Sequence, residues 1–146
     1  MSAFTIHRRI SAPVDVVWDI VSDHGGYSTW SLFTSSELTV DGHPDRNGVG
    51  AVRKLGTWPR YSFERVIEFE APNHLAYVIE SGVPVHGYRA DIDLQPTTDG
   101  SGTIMHYHAK WDSTPFGLGA PMYALMYGVL TSFAVMMDRE AVKRSR

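Results

Sequence analysis

The chain has 146 residues, near the commonest size for one domain, and its 43% hydrophobic and 20% charged content excludes a disordered chain. It has no cysteine, which removes disulfides, thiolate metal sites and a cysteine nucleophile together and agrees with a reducing, cytoplasmic setting. A formal net charge of -3 supplies no general positive field for nucleic acid or an anionic membrane.

The N-terminal residues show no apolar run after a basic start, so they do not read as a secretory signal. Phe4 to Ile10 alternates, with Phe4, Ile6, Arg8 and Ile10 on one side, and predicts a strand. Pro13 and Asp15 suit the first turn of a helix, whose apolar face is Val14, Val17, Trp18 and Val21. Gly25-Gly26 is expected to end it, and Tyr27 to Trp30 reads as a second short helical turn. Six strand-like runs follow: Ser36–Val40, Val49–Leu55, Tyr61–Glu70, Leu75–Glu80, Tyr88–Gln95 and Thr103–Trp111. The turn residues between them are few, and short connections make an antiparallel meander. No repeat or linker interrupts the chain, so residues 1–146 are expected to form one domain.

Ser113 to Met137 carries no charge, long enough for a membrane span by count alone. Pro115, Gly117, Gly119 and Pro121 break its first third, so it reads as a loop and then a buried helix, with no integral membrane span. From Pro121 to about Arg144, Met122, Leu125, Met126, Val129, Leu130, Phe133, Met136 and Met137 form one broad stripe at helical spacing. Such a helix is about 36 Å long, enough to cross seven strands set about 4.8 Å apart. One helix does not fill the concavity of a strongly bent sheet, so a cavity is expected between the two.

This element order resembles the helix-grip fold of the SRPBCC superfamily. The chain is most similar to the small bacterial polyketide cyclase/dehydrase and lipid-transport family. The residues that carry the likeness are Ile10-Ser11-Ala12-Pro13, Val17-Trp18, Trp30, Gly48 to Arg53, Glu64 to Pro72, Leu75-Ala76-Tyr77, Tyr88 and Gly102-Thr103. The resemblance implies an α+β architecture. A curved seven-stranded antiparallel sheet wraps a long C-terminal helix, with two short helices after the first strand. The superfamily includes carriers, sensors and enzymes, so the fold alone does not choose among them.

Strand phase turns that expectation into candidate ligand contacts. Tyr77 and Ile79, then Tyr88, Ala90, Ile92 and Leu94, then Met105, Tyr107, Ala109 and Trp111 are the apolar halves of three strands. Such a stripe is core or binding wall, and in this fold one face serves as both. With Met122 and Met126 from the helix, Tyr77, Tyr88, Tyr107 and Trp111 are expected around the ligand, while Trp30 and Trp58 sit where they could rim the mouth. In Tyr61–Phe69 the apolar phase runs through Phe63, Arg65 and Ile67, which points the Arg65 guanidinium inward among aromatics. A buried arginine needs a carboxylate, a carbonyl or a ligand. The likeness to polyketide aromatase/cyclases implies a pocket-facing arginine in this Glu-Arg-Val segment, able to stabilise an enolate; Phe63 stands where those enzymes carry a polar residue. Structural pair, ligand anchor and catalytic group remain open for Arg65, and Arg8 and Arg53 are weaker candidates for the same face.

His106-Tyr107-His108 places two imidazoles on one strand face without an evident third ligand, so no metal is expected. Gly48-Val49-Gly50 leads into a strand rather than a helix and is no dinucleotide loop. No Ser-His-Asp set is identifiable. The expectation is a cofactor-free pocket for a hydrophobic or aromatic small molecule, in a monomer or homodimer. A cofactor-independent polyketide cyclase/dehydratase is the alternative.

Overall fold

Alternation makes the strands, and short turns pair them in sequence. The computed structural model describes residues 1–146. β1 (Ser2–Ile10) leads into α1 (Val14–Ser22) and a short 3-10 helix (His24–Thr29). Six strands follow: β2 (Ser35–Val40), β3 (Val52–Thr57), β4 (Arg60–Glu70), β5 (His74–Ser81), β6 (Arg89–Pro96) and β7 (Thr103–Trp111). The chain then closes with α2 (Gly119–Arg144). The strands form one antiparallel sheet in the order β1-β7-β6-β5-β4-β3-β2, so the meander folds strand by strand and β1 returns to pair with β7. This is the expected helix-grip arrangement.

Several strand ends shift by one or two residues from the sequence reading, and three further differences have a local reason. Val49 to Ala51 is turn rather than strand, because Gly50 takes a left-handed φ of 89° and the Ala51 amide donates back to the Gly48 carbonyl. Gly25-Gly26 does not follow α1 but sits within the 3-10 helix, since α1 ends at Ser22. α2 starts at Gly119, one residue pair before Pro121, which places that proline in the first turn, where its missing N–H costs nothing.

Val17, Trp18, Ile20 and Val21 of α1 are buried, and Trp18 lies against Phe69 with ring centroids 5.1 Å apart. Along α2 the buried line is Met122, Met126, Leu130, Phe133 and Met137, joined by Ala134 and Ala141. Leu125, part of the expected stripe, is instead 56% exposed. Each large side chain sealed on that line is worth about 1.5–3 kcal/mol of burial, so α2 is a principal support of the fold. By length and composition alone α2 could cross a membrane, yet here its apolar line packs on the sheet. An ion pair from Arg8 Nε to Asp138 Oδ2 (2.7 Å) ties β1 to the last third of α2 and shows Arg8 on the helix side of the sheet.

Candidate functional site

Between the β3–β5 end of the sheet and the first half of α2 lies a cavity of about 320 Å³. Leu55, Ile79, Met126, Val129, Leu130 and Phe133 make its walls apolar. Its mouth needs a glycine: Gly82 has φ 97°, and a Cβ there would lie 1.9 Å from the Tyr61 carbonyl oxygen. The polar end is deep. Tyr77, Tyr88 and Tyr107 are each at least 97% buried, and the Tyr77 hydroxyl contacts those of Tyr107 and of Tyr88, the latter at 3.2 Å. Burial raises all three phenols above their ordinary range, so they remain protonated at physiological pH.

Beside the phenols stands a closed ionic group. The two-residue turn Trp58-Pro59 sets Thr57 opposite Arg60, and the same register sets Arg53 opposite Glu64, both inward. Arg53 Nε and Nη2 donate to Glu64 Oε1 at 2.9 and 2.8 Å, and Ser62 Oγ donates to Glu64 Oε2 at 3.1 Å. Arg53 Nη1 donates to Tyr27 Oη (2.8 Å) and to His24 Nδ1 (3.1 Å). The guanidinium also lies 4.3 Å from the Tyr77 ring centroid and 5.0 Å from that of Tyr27. His24 Nε2 donates to the Asn47 carbonyl at 2.8 Å, so Nε2 carries the hydrogen and Nδ1 accepts from Arg53. Burial, then the adjacent Arg53 charge, lowers the His24 pKa to about 3 against the opposing Asn47 bond. The imidazole is therefore neutral.

Of the ten residues expected around the ligand, Tyr77, Tyr88, Tyr107 and Met126 line the cavity. Trp111 is instead core, stacked on Tyr88 and edge-on to Phe4, and Met122 is buried in the same cluster. Trp30 packs half-buried against Tyr27 and Phe133, and Trp58 stands 79% exposed in the β3–β4 turn. Phe63 and Arg65 lie on the outer face. Arg65 Nε pairs there with Glu80 Oε1 at 3.2 Å, and Nη1 donates to the Gly50 carbonyl at 3.1 Å. The inward residues of β4 are Ser62, Glu64 and Val66, and the register shifts between Phe63 and Glu64 and between Val66 and Glu68. The second bulge returns Phe69 to the core, so the apolar phase read from Tyr61 to Phe69 joins residues from two faces. Arg53 and Glu64 hold the place expected for Arg65. Their signal was the hairpin register, not strand polarity.

On the outer face His106 is exposed beside His7, and His108 bonds Thr5 Oγ1 through Nδ1 at 2.7 Å. Glu68, His74 and Asp91 lie close enough together there to suggest a cation site. However, His74 already uses both ring nitrogens, on Glu68 at 2.8 Å and Asp93 at 2.7 Å, and Arg89 holds Glu68 and Asp91. The arrangement is an ion-pair network.

Among solved structures, XoxI from Bacillus cereus superposes with TM-score 0.81 at 17% identity, covering 100% of this chain and 99% of that one. A START superfamily protein from Mycobacterium smegmatis gives 0.79 at 12% identity, covering 97% of each. A norcoclaurine synthase point mutant from Thalictrum, complexed with a transition-state analogue, gives 0.75 at 16% identity, covering 99% and 96%. At such identities the likeness establishes the fold. No curated protein matches this sequence. The model of the family described as polyketide cyclase / dehydrase and lipid transport matches residues 1–140, and the chain belongs to that family.

Proposed function

We propose that residues 1–146 act as one cytoplasmic domain that binds a hydrophobic, lipid- or polyketide-like small molecule between the sheet and α2. In this reading the protein is a carrier, sensor or sequestering protein, works without a cofactor, and is a monomer or homodimer. The observation that carries the reading is a mostly apolar cavity whose buried charges are already paired with each other. Glu64, its one carboxylate, is held by Arg53 and Ser62, and the neutral His24 is bonded at both nitrogens. These groups leave no free base beside a ligand, whereas the walls offer apolar area in a volume on the order of ten waters.

One observation favours the second reading, a cofactor-independent cyclase/dehydratase. The phenols stand beside a buried guanidinium and could donate a proton to a ketide oxygen. Native mass spectrometry of freshly purified protein, followed by titration with an apolar fluorescent probe, tests the first reading. Val129→Trp, which places a large ring against the cavity wall, is expected to weaken the probe tenfold or more while circular dichroism stays native. Unchanged affinity would sink the cavity as the binding site. A poly-β-ketone that cyclises no faster with the protein than in buffer would remove the second reading.

A further inference from the structure

The phenol cluster has a proton count that does not close. Each tyrosine hydroxyl brings one proton and two acceptor lone pairs. Tyr77 touches both Tyr88 and Tyr107, and these two contacts are the only hydrogen bonds the three hydroxyls make. Two contacts use two protons. Whether Tyr77 accepts twice or passes the chain along, one O–H is left without an acceptor in the protein. All three residues line the cavity, so the spare donor is available to an occupant of that space. A buried donor without a partner is costly, and an occupant that supplies an acceptor relieves that cost.

The neighbouring charges restrict which acceptor fits. Arg53 is neutralised by Glu64 at 2.8 Å, so the deep end carries no net charge for an anion to meet. A carboxylate driven to that depth would add an uncompensated buried charge. Arg60, the other arginine lining the cavity, is exposed at the rim. We propose that the Tyr77–Tyr88–Tyr107 cluster is the specificity element of the cavity, selecting apolar ligands that carry a neutral carbonyl or phenolic oxygen over hydrocarbons and over carboxylates. This assignment rests on the cavity being the binding site.

The test uses three probes of one shape: 2-acetylnaphthalene, 2-isopropylnaphthalene and 2-naphthoate, titrated calorimetrically. The ketone is expected to bind wild type at least tenfold more tightly than the hydrocarbon. Each single Tyr→Phe variant keeps that preference, because two remaining phenols still hold at least one spare proton. The triple variant Y77F/Y88F/Y107F loses it, with hydrocarbon affinity retained and the ratio near one. Equal binding of ketone and hydrocarbon by wild type would overturn the assignment while leaving the cavity as binding site. The same ratio in wild type and the triple variant would overturn it as well. Naphthoate is titrated in an Arg60→Gln background, so that a rim-bound carboxylate is not counted as a deep one. Naphthoate binding there as tightly as the ketone would also overturn the assignment. If no probe binds wild type, the cavity reading falls and this one with it. Should the triple variant not fold, the ketone and hydrocarbon titrations of wild type and the naphthoate titration of Arg60→Gln still decide.

Discussion

Two ionic groups sit on opposite faces of the same sheet, and they treat histidine in opposite ways. On the inner face Arg53, Glu64, Tyr27 and His24 are sealed from solvent, and His24 is held neutral with a pKa of about 3. On the outer face His74 lies among Glu68, Asp91, Asp93 and Arg89 at the surface. There burial still opposes the charge, but hydrogen bonds to Glu68 and Asp93 outweigh it and raise the His74 pKa. The difference lies in what surrounds the ring: one imidazole faces a guanidinium in a dry interior, the other faces carboxylates in water. Inside, the paired charges hold β3, β4 and the 3-10 helix in one arrangement beside the cavity. Outside, equivalent chemistry adds little rigidity because solvent competes for every partner.

The largest contrast is expected between two arginines. Arg53→Met leaves the buried Glu64 without its partner and should lower unfolding free energy by about 3–5 kcal/mol. Arg65→Met removes an ion pair whose side chains are 41% and 40% exposed and should cost at most about 1 kcal/mol. Urea denaturation of both variants measures this. Equal losses would erase the distinction between the faces.

A pH-dependent effect belongs to His24. Its folded pKa is depressed below the ordinary 6.5, so between pH 6.5 and about 3 the unfolded chain binds the proton and the folded chain does not. Stability from this group is present above pH 6.5 and falls as pH drops toward 3, at up to about 1.4 kcal/mol per unit. His24→Gln, which offers one acceptor and one donor without titrating, should flatten the decline between pH 6.5 and 4. Parallel pH profiles for wild type and variant would mean that the imidazole takes up its proton alike in the folded and unfolded chain.

The architecture was legible in sequence because most strands alternate cleanly and the last helix carries one apolar line. In β7, Met105, Tyr107, Ala109 and Trp111 are all buried as their spacing demands, and Ala90, Ile92 and Leu94 repeat the pattern in β6. Three of the four expected ligand residues that line the cavity come from this stretch or from Tyr77 beside it. Polarity failed where polarity itself points inward. Arg53 and Glu64 face the cavity, and two bulges in β4 gave Phe63 and Arg65 the appearance of an inner pair. Only cross-strand register, set by a turn several residues away, tells a buried ion pair from an exposed one. Helical spacing likewise places Leu125 with Met122 and Met126 but does not show that it borders the cavity, 56% exposed, rather than the packed core.

The smallest effect tests the outer network with the opposite sign. Because the folded pKa of His74 is raised, its charge contributes stability that is fully present below the ordinary 6.5 and is lost as pH rises through the elevated value. His74→Gln should therefore cost more at pH 6 than at pH 8.5, within the roughly 1 kcal/mol range of exposed ion pairs. Added salt separates this network from the inner one. At about 1 M ionic strength charges interact over only about 3 Å, so the pH 6 penalty of His74→Gln should shrink, while the cost of Arg53→Met stays. Thermal unfolding of both variants in low and high salt at pH 6 reads this directly. A salt-insensitive His74→Gln penalty would mean that the ring supports the sheet by packing, and that its carboxylate partners are incidental.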